Sequence, residues 1–177
     1  MIKNFKELGI FSKDLQVLKY NRVYSVKDLP LQEKKEIVFI GKSNVGKSTL
    51  INTILNYKIN KTSKEPGCTK WIAYIELQNT IIIDLPGYGY SKVAKGRKEF
   101  WNKMVLEYIN KKRTNLALIL IDSRRGIQEI DHEVSTAFDN SQFIYTKCDK
   151  ANFPENNIIK TSSSSGLGIL ELRNLLI

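Results

Sequence analysis

Apolar positions along this chain fall into short runs, separated by polar and glycine-bearing stretches. Glu36-Ile-Val-Phe-Ile40, ending at Gly41, predicts a strand buried on both faces, because an unalternated apolar run of this length suits a parallel sheet. Trp71–Leu77 and Thr80–Leu85 predict two strands joined by the turn Gln78-Asn79. Leu116–Asp122, Phe143–Thr146 and Ile158–Lys160 complete a set of six strands. Between them the period lengthens to that of a helix. Lys47–Tyr57 places Leu50, Ile51, Ile54 and Leu55 on one face, and Lys95–Lys112, Ile127–Phe138 and Leu167–Leu176 predict three more helices. Residues 58–70, with Pro66-Gly67, and the glycine-rich Pro86–Ala94 predict loops. Residues 1–35 are polar and weakly patterned, a lead-in to a single domain over residues 36–177.

Strands alternating with helices imply an α/β domain with a mostly parallel six-stranded sheet flanked by helices. Ligands in such a domain sit beyond the carboxyl ends of the strands, and the motifs with chemical content all fall there. Gly41-Lys42-Ser43-Asn44-Val45-Gly46-Lys47-Ser48 follows a strand, opens a helix and fits GxxxxGK[ST]. Its glycines let the backbone wrap an anion, and its amides point inward at the positive end of the helix. Lys47 is placed to reach the β- and γ-phosphates of a nucleotide, and Ser48 to ligate Mg²⁺. Asp84-Leu85-Pro86-Gly87 supplies DxxG, with Asp84 holding Mg²⁺ through water and the Gly87 amide meeting the γ-phosphate. A second Mg²⁺ ligand comes from the loop 58–70, where spacing alone leaves both Thr69 and Thr62 open.

Thr146-Lys147-Cys148-Asp149 fits [NT]KxD. A carboxylate at Asp149 accepts two hydrogen bonds from guanine N1–H and N2–H₂, a pattern adenine lacks, so an ATPase is disfavoured. The Lys147 stem covers the base, and Thr146, where Asn is more usual, is expected to tether the phosphate loop. Ser162-Ser163, after the last strand, are placed for backbone contact with guanine O6.

Composition adds a partner. The chain of 177 residues carries net charge +10, with 42% hydrophobic residues, an ordinary soluble profile. The charge is uneven. Residues 1–113 hold 22 Lys/Arg against 10 Asp/Glu, and residues 114–177 hold 6 against 8. Lys92–Arg113 alone carries eight bases, which suits a polyanion such as RNA; the competing reading is an A/T-rich genome, since Lys (22) far outnumbers Arg (6). No run approaches the roughly 20 residues of a membrane span, and Met1–Glu7 is too polar for a signal peptide. The expected location is therefore the cytoplasm, with Cys68 and Cys148 as reduced thiols and no structural zinc. The one histidine, His132, is expected to be a solvated helix residue.

These strings resemble the EngB family of bacterial GTP-binding proteins, within the TrmE-Era-EngA-EngB-Septin-like superfamily. The match runs through Ser43–Asn52, Thr62-Ser63, Pro66–Thr69, Asp84-Leu-Pro-Gly-Tyr-Gly-Tyr90, Asp122-Ser-Arg-Arg-Gly126, Asp131, Thr146–Asp149, Ser162, Gly168-Ile169 and Leu172. The resemblance covers residues 25–177 and implies a Ras-like domain and Mg²⁺-dependent GTP binding; Tyr88, where many switch GTPases carry a water-orienting Gln, predicts slow hydrolysis, and a monomer is expected. The resemblance implies a role in large ribosomal subunit assembly and a requirement for normal cell division and septation. It selects Thr69 over Thr62, makes Lys47, Thr69 and Gly87 the catalytic set, and adds Gly67, Cys68, Lys70, Trp71 and Thr161 to the GTP-binding residues. Asn44 stands where potassium-stimulated relatives also carry Asn, so K⁺ is a candidate there, against the alternative that Asn44 braces the loop. The chain departs from the family between Asp149 and Ser162. Only twelve residues occupy that interval, so the usual helix is expected to be shortened or lost around Phe153-Pro154. A GTP-dependent protein of the division machinery without RNA contact is the alternative function.

Overall fold

A computed structural model of the protein describes residues 15–59, 71–88, 95–151 and 157–177, with 95–102 described by backbone alone. The apolar runs form the strands β2 (Lys35–Gly41), β3 (Ile72–Glu76), β4 (Thr80–Asp84), β5 (Leu116–Asp122), β6 (Ser141–Thr146) and β7 (Ile159–Lys160). A further strand, β1 (Lys19–Val23), lies in the lead-in, so the sheet has seven strands rather than six, in the order β1-β3-β4-β2-β5-β6-β7. β1 pairs antiparallel with β3 from Lys19↔Glu76 to Val23↔Ile72. Its polar sequence concealed it. β1 is an edge strand in which only Val23 is buried, and edge strands carry polar and charged residues that would read as a loop.

The helices are shorter than their periodic signals: α1 (Lys47–Leu55), α2 (Lys95–Asn110), α3 (Glu129–Thr136) and α4 (Ile169–Asn174). α1 stops where Asn56 turns left-handed (φ 48°). The interval after Asp149 is non-helical at Lys150-Ala151 and Asn157-Ile158, and Phe153-Pro154 lies outside the described residues. β4, β2, β5, β6 and β7 run parallel, and both faces of these strands are covered. Leu50, Ile51 and Ile54 of α1 join Ile169 and Leu172 of α4 on one face, with Ile37, Phe39 and Leu118. On the other, Met104, Val105 and Tyr108 of α2 pack with Val38, Ile40 and Ile119. Burying each such side chain contributes about 1.5–3 kcal/mol, which fixes the strand ends from which the loops depart.

One buried polar cluster braces the opposite end of the sheet. Glu36, fully buried, accepts from Tyr108 Oη (2.9 Å) and Arg113 Nε (3.0 Å), and Arg113 also donates to Pro30 O. Burial and the neighbouring Glu36 carboxylate push the Tyr108 hydroxyl pKa well above its ordinary range. Arg113, counted among the bases of the Lys92–Arg113 segment, is thus committed to the interior.

Candidate functional site

The segment from Gly41 to Ser48 leaves β2 and enters α1 in a tight wrap. Gly46 is the N-cap of α1 with φ 99°, and Asn44 is also left-handed (φ 65°). Alternating left- and right-handed residues turn successive amides to one side, a concavity for an anion. At the helix start the dipole adds to it. Gly41 has no room for a side chain: a Cβ there would meet Leu120 O at 2.8 Å. Lys47 Nζ donates to the buried carboxylate of Asp84, which ends β4. Ser48 is the second residue of α1.

The DxxG segment continues along the same backbone. Leu85 N donates to Phe39 O (3.1 Å), Tyr88 N to Gly41 O (3.2 Å), and Ser43 N to Tyr88 O (3.1 Å). Gly87 is pressed against this junction, where a Cβ would stand 3.1 Å from Gly41 O and 3.2 Å from Ser43 N. Tyr88 turns its side chain inward. Its hydroxyl donates to Asp131 Oδ1 at 2.6 Å, and both groups are buried. Burial first, then this hydrogen bond, raise the Tyr88 pKa far above the phenol range. Asp131 also accepts from Gln128 N (2.8 Å) as half of the capping box of α3, and Gln128 Oε1 accepts from Lys42 Nζ. Tyr88, Asp131, Gln128 and Lys42 therefore link the segment after Gly87 to α3 and back to the phosphate loop.

Two side-chain hydrogen bonds join the [NT]KxD run to that loop. Thr146 Oγ1 donates to Val45 O at 2.8 Å, the tether expected of it, with Ile121 O at 3.2 Å as second acceptor. Lys147, left-handed (φ 57°), donates from Nζ to Asn44 O (2.6 Å) and to Asp122 Oδ2 (2.9 Å). Asp122 ends β5 and also accepts from Arg124 Nε (2.9 Å) and its terminal nitrogen (2.6 Å). Arg124 first, then Lys147, hold the Asp122 pKa well below the ordinary carboxylate range. The phosphate loop and the β5–α3 turn line an open cleft of about 270 Å³, with Asn44, Asp122, Arg125 and Gln128 among its walls.

The base-reading end is assembled from β6 and β7. Thr161, fully buried, donates from both N and Oγ1 to Tyr145 O (2.7 Å each) and accepts from Cys148 N (3.1 Å). Cys148 is a buried free thiol, its pKa raised by burial. Asp149 is exposed, and its Oδ1 accepts from Ser162 Oγ at 2.7 Å. That hydrogen bond is the largest cause of the lowered Asp149 pKa. Ser162 Oγ also accepts from Ser165 N (3.2 Å), which folds the serine run into a turn. Gly168 closes it: φ is +65°, and a Cβ would fall 2.0 Å from Lys160 O.

Gly67, Cys68, Thr69, Lys70 and the alternative Thr62 lie outside the described residues. Trp71 is half-buried, with its ring against Arg22 and Tyr24. Ser163 is half-exposed in the serine turn. His132 is exposed on α3, its ring edge-on to Phe143. Reasoning from motifs missed Asp122, Gln128 and Asp131 as parts of the site. Asp122 and Asp131 stood in the family-like strings, yet their partners, Lys147 and Tyr88, are distant in sequence.

Comparison with known proteins agrees with this geometry. The family model described as "50S ribosome-binding GTPase" matches residues 36–147. A probable GTP-binding protein EngB of Prosthecochloris aestuarii is 38% identical over 153 residues, 82% of this chain and 80% of the relative. Proteins of the same name from Petrotoga mobilis (44% identical; 72% of this chain, 68% of the relative) and Rickettsia bellii (40%; 85% and 82%) also match. The crystal structure of a probable GTP-binding protein engB superposes with TM-score 0.63 at 28% identity, covering 78% of this chain and 95% of that one. Era, crystallised with MgGDPNP and a 16S ribosomal RNA fragment, shares the fold at TM-score 0.63 and 22% identity, covering 80% of this chain and 55% of Era.

Proposed function

From membership of the EngB family of GTP-hydrolysing proteins, to which this chain belongs, we propose that it is a Mg²⁺-dependent cytoplasmic switch acting in large ribosomal subunit assembly, with residues 36–177 as its GTPase domain. The observation that carries the reading is the joining of guanine and phosphate sites. Thr146 and Lys147 hold the carbonyls of Val45 and Asn44, and Asp149 is aimed by Ser162. Guanine recognition at Asp149 and phosphate binding at Gly41–Ser48 are thereby held in one frame, and a misfit at the base is felt at the phosphates.

Ser48 and Asp84 offer hydroxyl and carboxylate oxygens, the donors a hard divalent cation selects, and no cluster of three or more His, Cys, Asp or Glu occurs among the described residues. Ser48, Asp84 through water, and Thr69 would hold Mg²⁺, which when bound neutralises charge on the β- and γ-phosphates. Lys47, paired with Asp84 here, exchanges that carboxylate for phosphate oxygens as nucleotide binds. The Gly87 amide meets the γ-phosphate and so distinguishes GTP from GDP.

Hydrolysis is slow. Many switch GTPases orient the attacking water with a Gln after DxxG. Here that residue is Tyr88, and its hydroxyl is engaged by Asp131 inside the protein. Activation then comes from outside this segment. One route would be a K⁺ held by the Asn44 side-chain oxygen, which would offset charge developing on the leaving group. The family description supports the large subunit as partner, and a defect in ribosome supply would slow division and septation. Co-sedimentation with purified large subunits tests the proposal. Binding should be stronger with a non-hydrolysable GTP analogue than with GDP and should fall as salt rises. Equal sedimentation in both nucleotide states would reject it.

A further inference from the structure

The edge strand β1 carries a cluster of rings and cations. Tyr20 and Arg22 alternate on one face of β1, and Arg22 lies over two rings, 4.7 Å from the Trp71 centroid and 5.8 Å from that of Tyr20. Arg22 Nε donates to Tyr20 Oη (2.7 Å), which fixes the plane of the guanidinium. Tyr24 meets Trp71 edge-on, 6.3 Å between centroids and 70° between planes, and is itself 66% exposed. On the other face of the strand Lys19 stands 5.9 Å from the Tyr74 ring centroid.

The charges here are left over. Several cations elsewhere are neutralised by carboxylates: Lys34 by Glu76, Arg113 by Glu36, and Arg124 and Lys147 by Asp122. Neither Arg22 nor Lys19 has a carboxylate partner among the described residues. A surface cluster of Tyr, Trp and Arg would also suit a protein partner. Two cations without carboxylate partners, set within residues 1–113 with their 22 bases against 10 acids, favour a polyanion. The exposed Tyr24 ring and Arg22 guanidinium, beside the half-buried rings of Tyr20 and Trp71, are flat groups of the kind unpaired bases stack on, while a duplex hides its base faces.

We propose that the β1 edge, through Tyr20, Arg22, Tyr24 and Trp71 with Lys19, binds a single-stranded segment of RNA, its bases on the rings and its phosphates on the two cations. This rests on the ribosomal reading for its biological source, the RNA of the large subunit, but not for its chemistry. Its residues lie outside the basic segment Lys92–Arg113 in the sequence.

The test uses the full chain, a fluorescein-labelled twelve-nucleotide oligo(U) RNA read by anisotropy, and purified large subunits read by co-sedimentation. Tyr24→Ala and Arg22→Gln alter exposed groups. Lys19→Gln removes a charge without touching a ring of the stack. Wild type should bind the oligonucleotide with an affinity that falls with salt. Tyr24→Ala and Arg22→Gln should each weaken it about tenfold, and Lys19→Gln and Arg22→Gln should each lower the salt slope by about one. Subunit binding should weaken in parallel, with GTP affinity unchanged. Wild-type affinity in all three variants, or no oligonucleotide binding by wild type, would overturn the inference even if subunits still sediment with the protein. Subunit binding lost while oligonucleotide binding stays intact would also overturn it and place a protein partner at this edge. Oligonucleotide binding that fails in the variants, with no wild-type sedimentation on subunits, would sustain the inference and sink the ribosomal reading.

Discussion

Replacing Thr146 by Val removes one hydroxyl from a side chain of nearly the same shape, so its effect is close to that of a single hydrogen bond. Thr146 is 3% exposed, and its proton goes to Val45 O at 2.8 Å. Val45 is also 3% exposed, so its carbonyl has little access to water once the hydroxyl is gone. Leaving a buried acceptor without a donor costs about 1–3 kcal/mol. That cost divides between two observables. What the free protein cannot relieve appears as lost stability. What it relieves by letting Val45 rotate must be restored when GTP draws the loop into place, and appears as weaker binding, up to about 5- to 150-fold in Kd. Urea unfolding and titration with a fluorescent GTP analogue measure the two parts, which should sum to the 1–3 kcal/mol. Thr146→Ser keeps the hydroxyl and should retain most of both. If Thr146→Val matches wild type in stability and in Kd, the hydroxyl does not tether the phosphate loop.

Gly168→Ala should destabilise the fold by at least about 2 kcal/mol, because φ is +65° and the new Cβ meets Lys160 O at 2.0 Å; a urea midpoint within error of wild type would contradict this. Asp122 has a lowered folded pKa, so its contribution to stability is fully present above the ordinary carboxylate value near 4 and is lost as pH falls below it. Asp122→Asn should therefore be less stable at pH 7 and lose less stability on acidification; an unchanged acid profile would refute the assignment. Single-turnover hydrolysis in matched KCl and NaCl should be faster in KCl for wild type and equal in both salts for Asn44→Ala. Equal wild-type rates would leave the ribosomal particle as the activator.

Much of this was legible because the phosphate loop, DxxG and TKxD are local strings that carry their own context. A strand before Gly41 and a helix after Lys47 follow from Ile37–Ile40 and Leu50–Leu55 alone. Thr146 could be assigned to the tether because the residue type and its place at the end of a strand determine what its hydroxyl can reach. β1 escaped because an edge strand needs only one buried residue, Val23, and its polar remainder reads as a loop. The Tyr88–Asp131 hydrogen bond spans 43 residues, and nothing local in either segment announces the other. Ser162 was read for its backbone, yet its side chain aims Asp149. That role depends on β7 ending beside β6, which two strand residues, Ile159 and Lys160, decide.

Asp149 reads guanine in a site coupled to the phosphate loop, and exchange of the base tests this most directly. Wild type and Asp149→Asn should be titrated with GTP, XTP and ATP under the same Mg²⁺. The carboxylate accepts from N2–H₂ of guanine, whereas an amide can donate to the 2-oxo group of xanthine. Wild type should bind GTP well above XTP and ATP, and Asp149→Asn should reverse the order of GTP and XTP while ATP stays weak. Asp149→Asn binding GTP as tightly as wild type, or wild type binding ATP as well as GTP, would contradict the account.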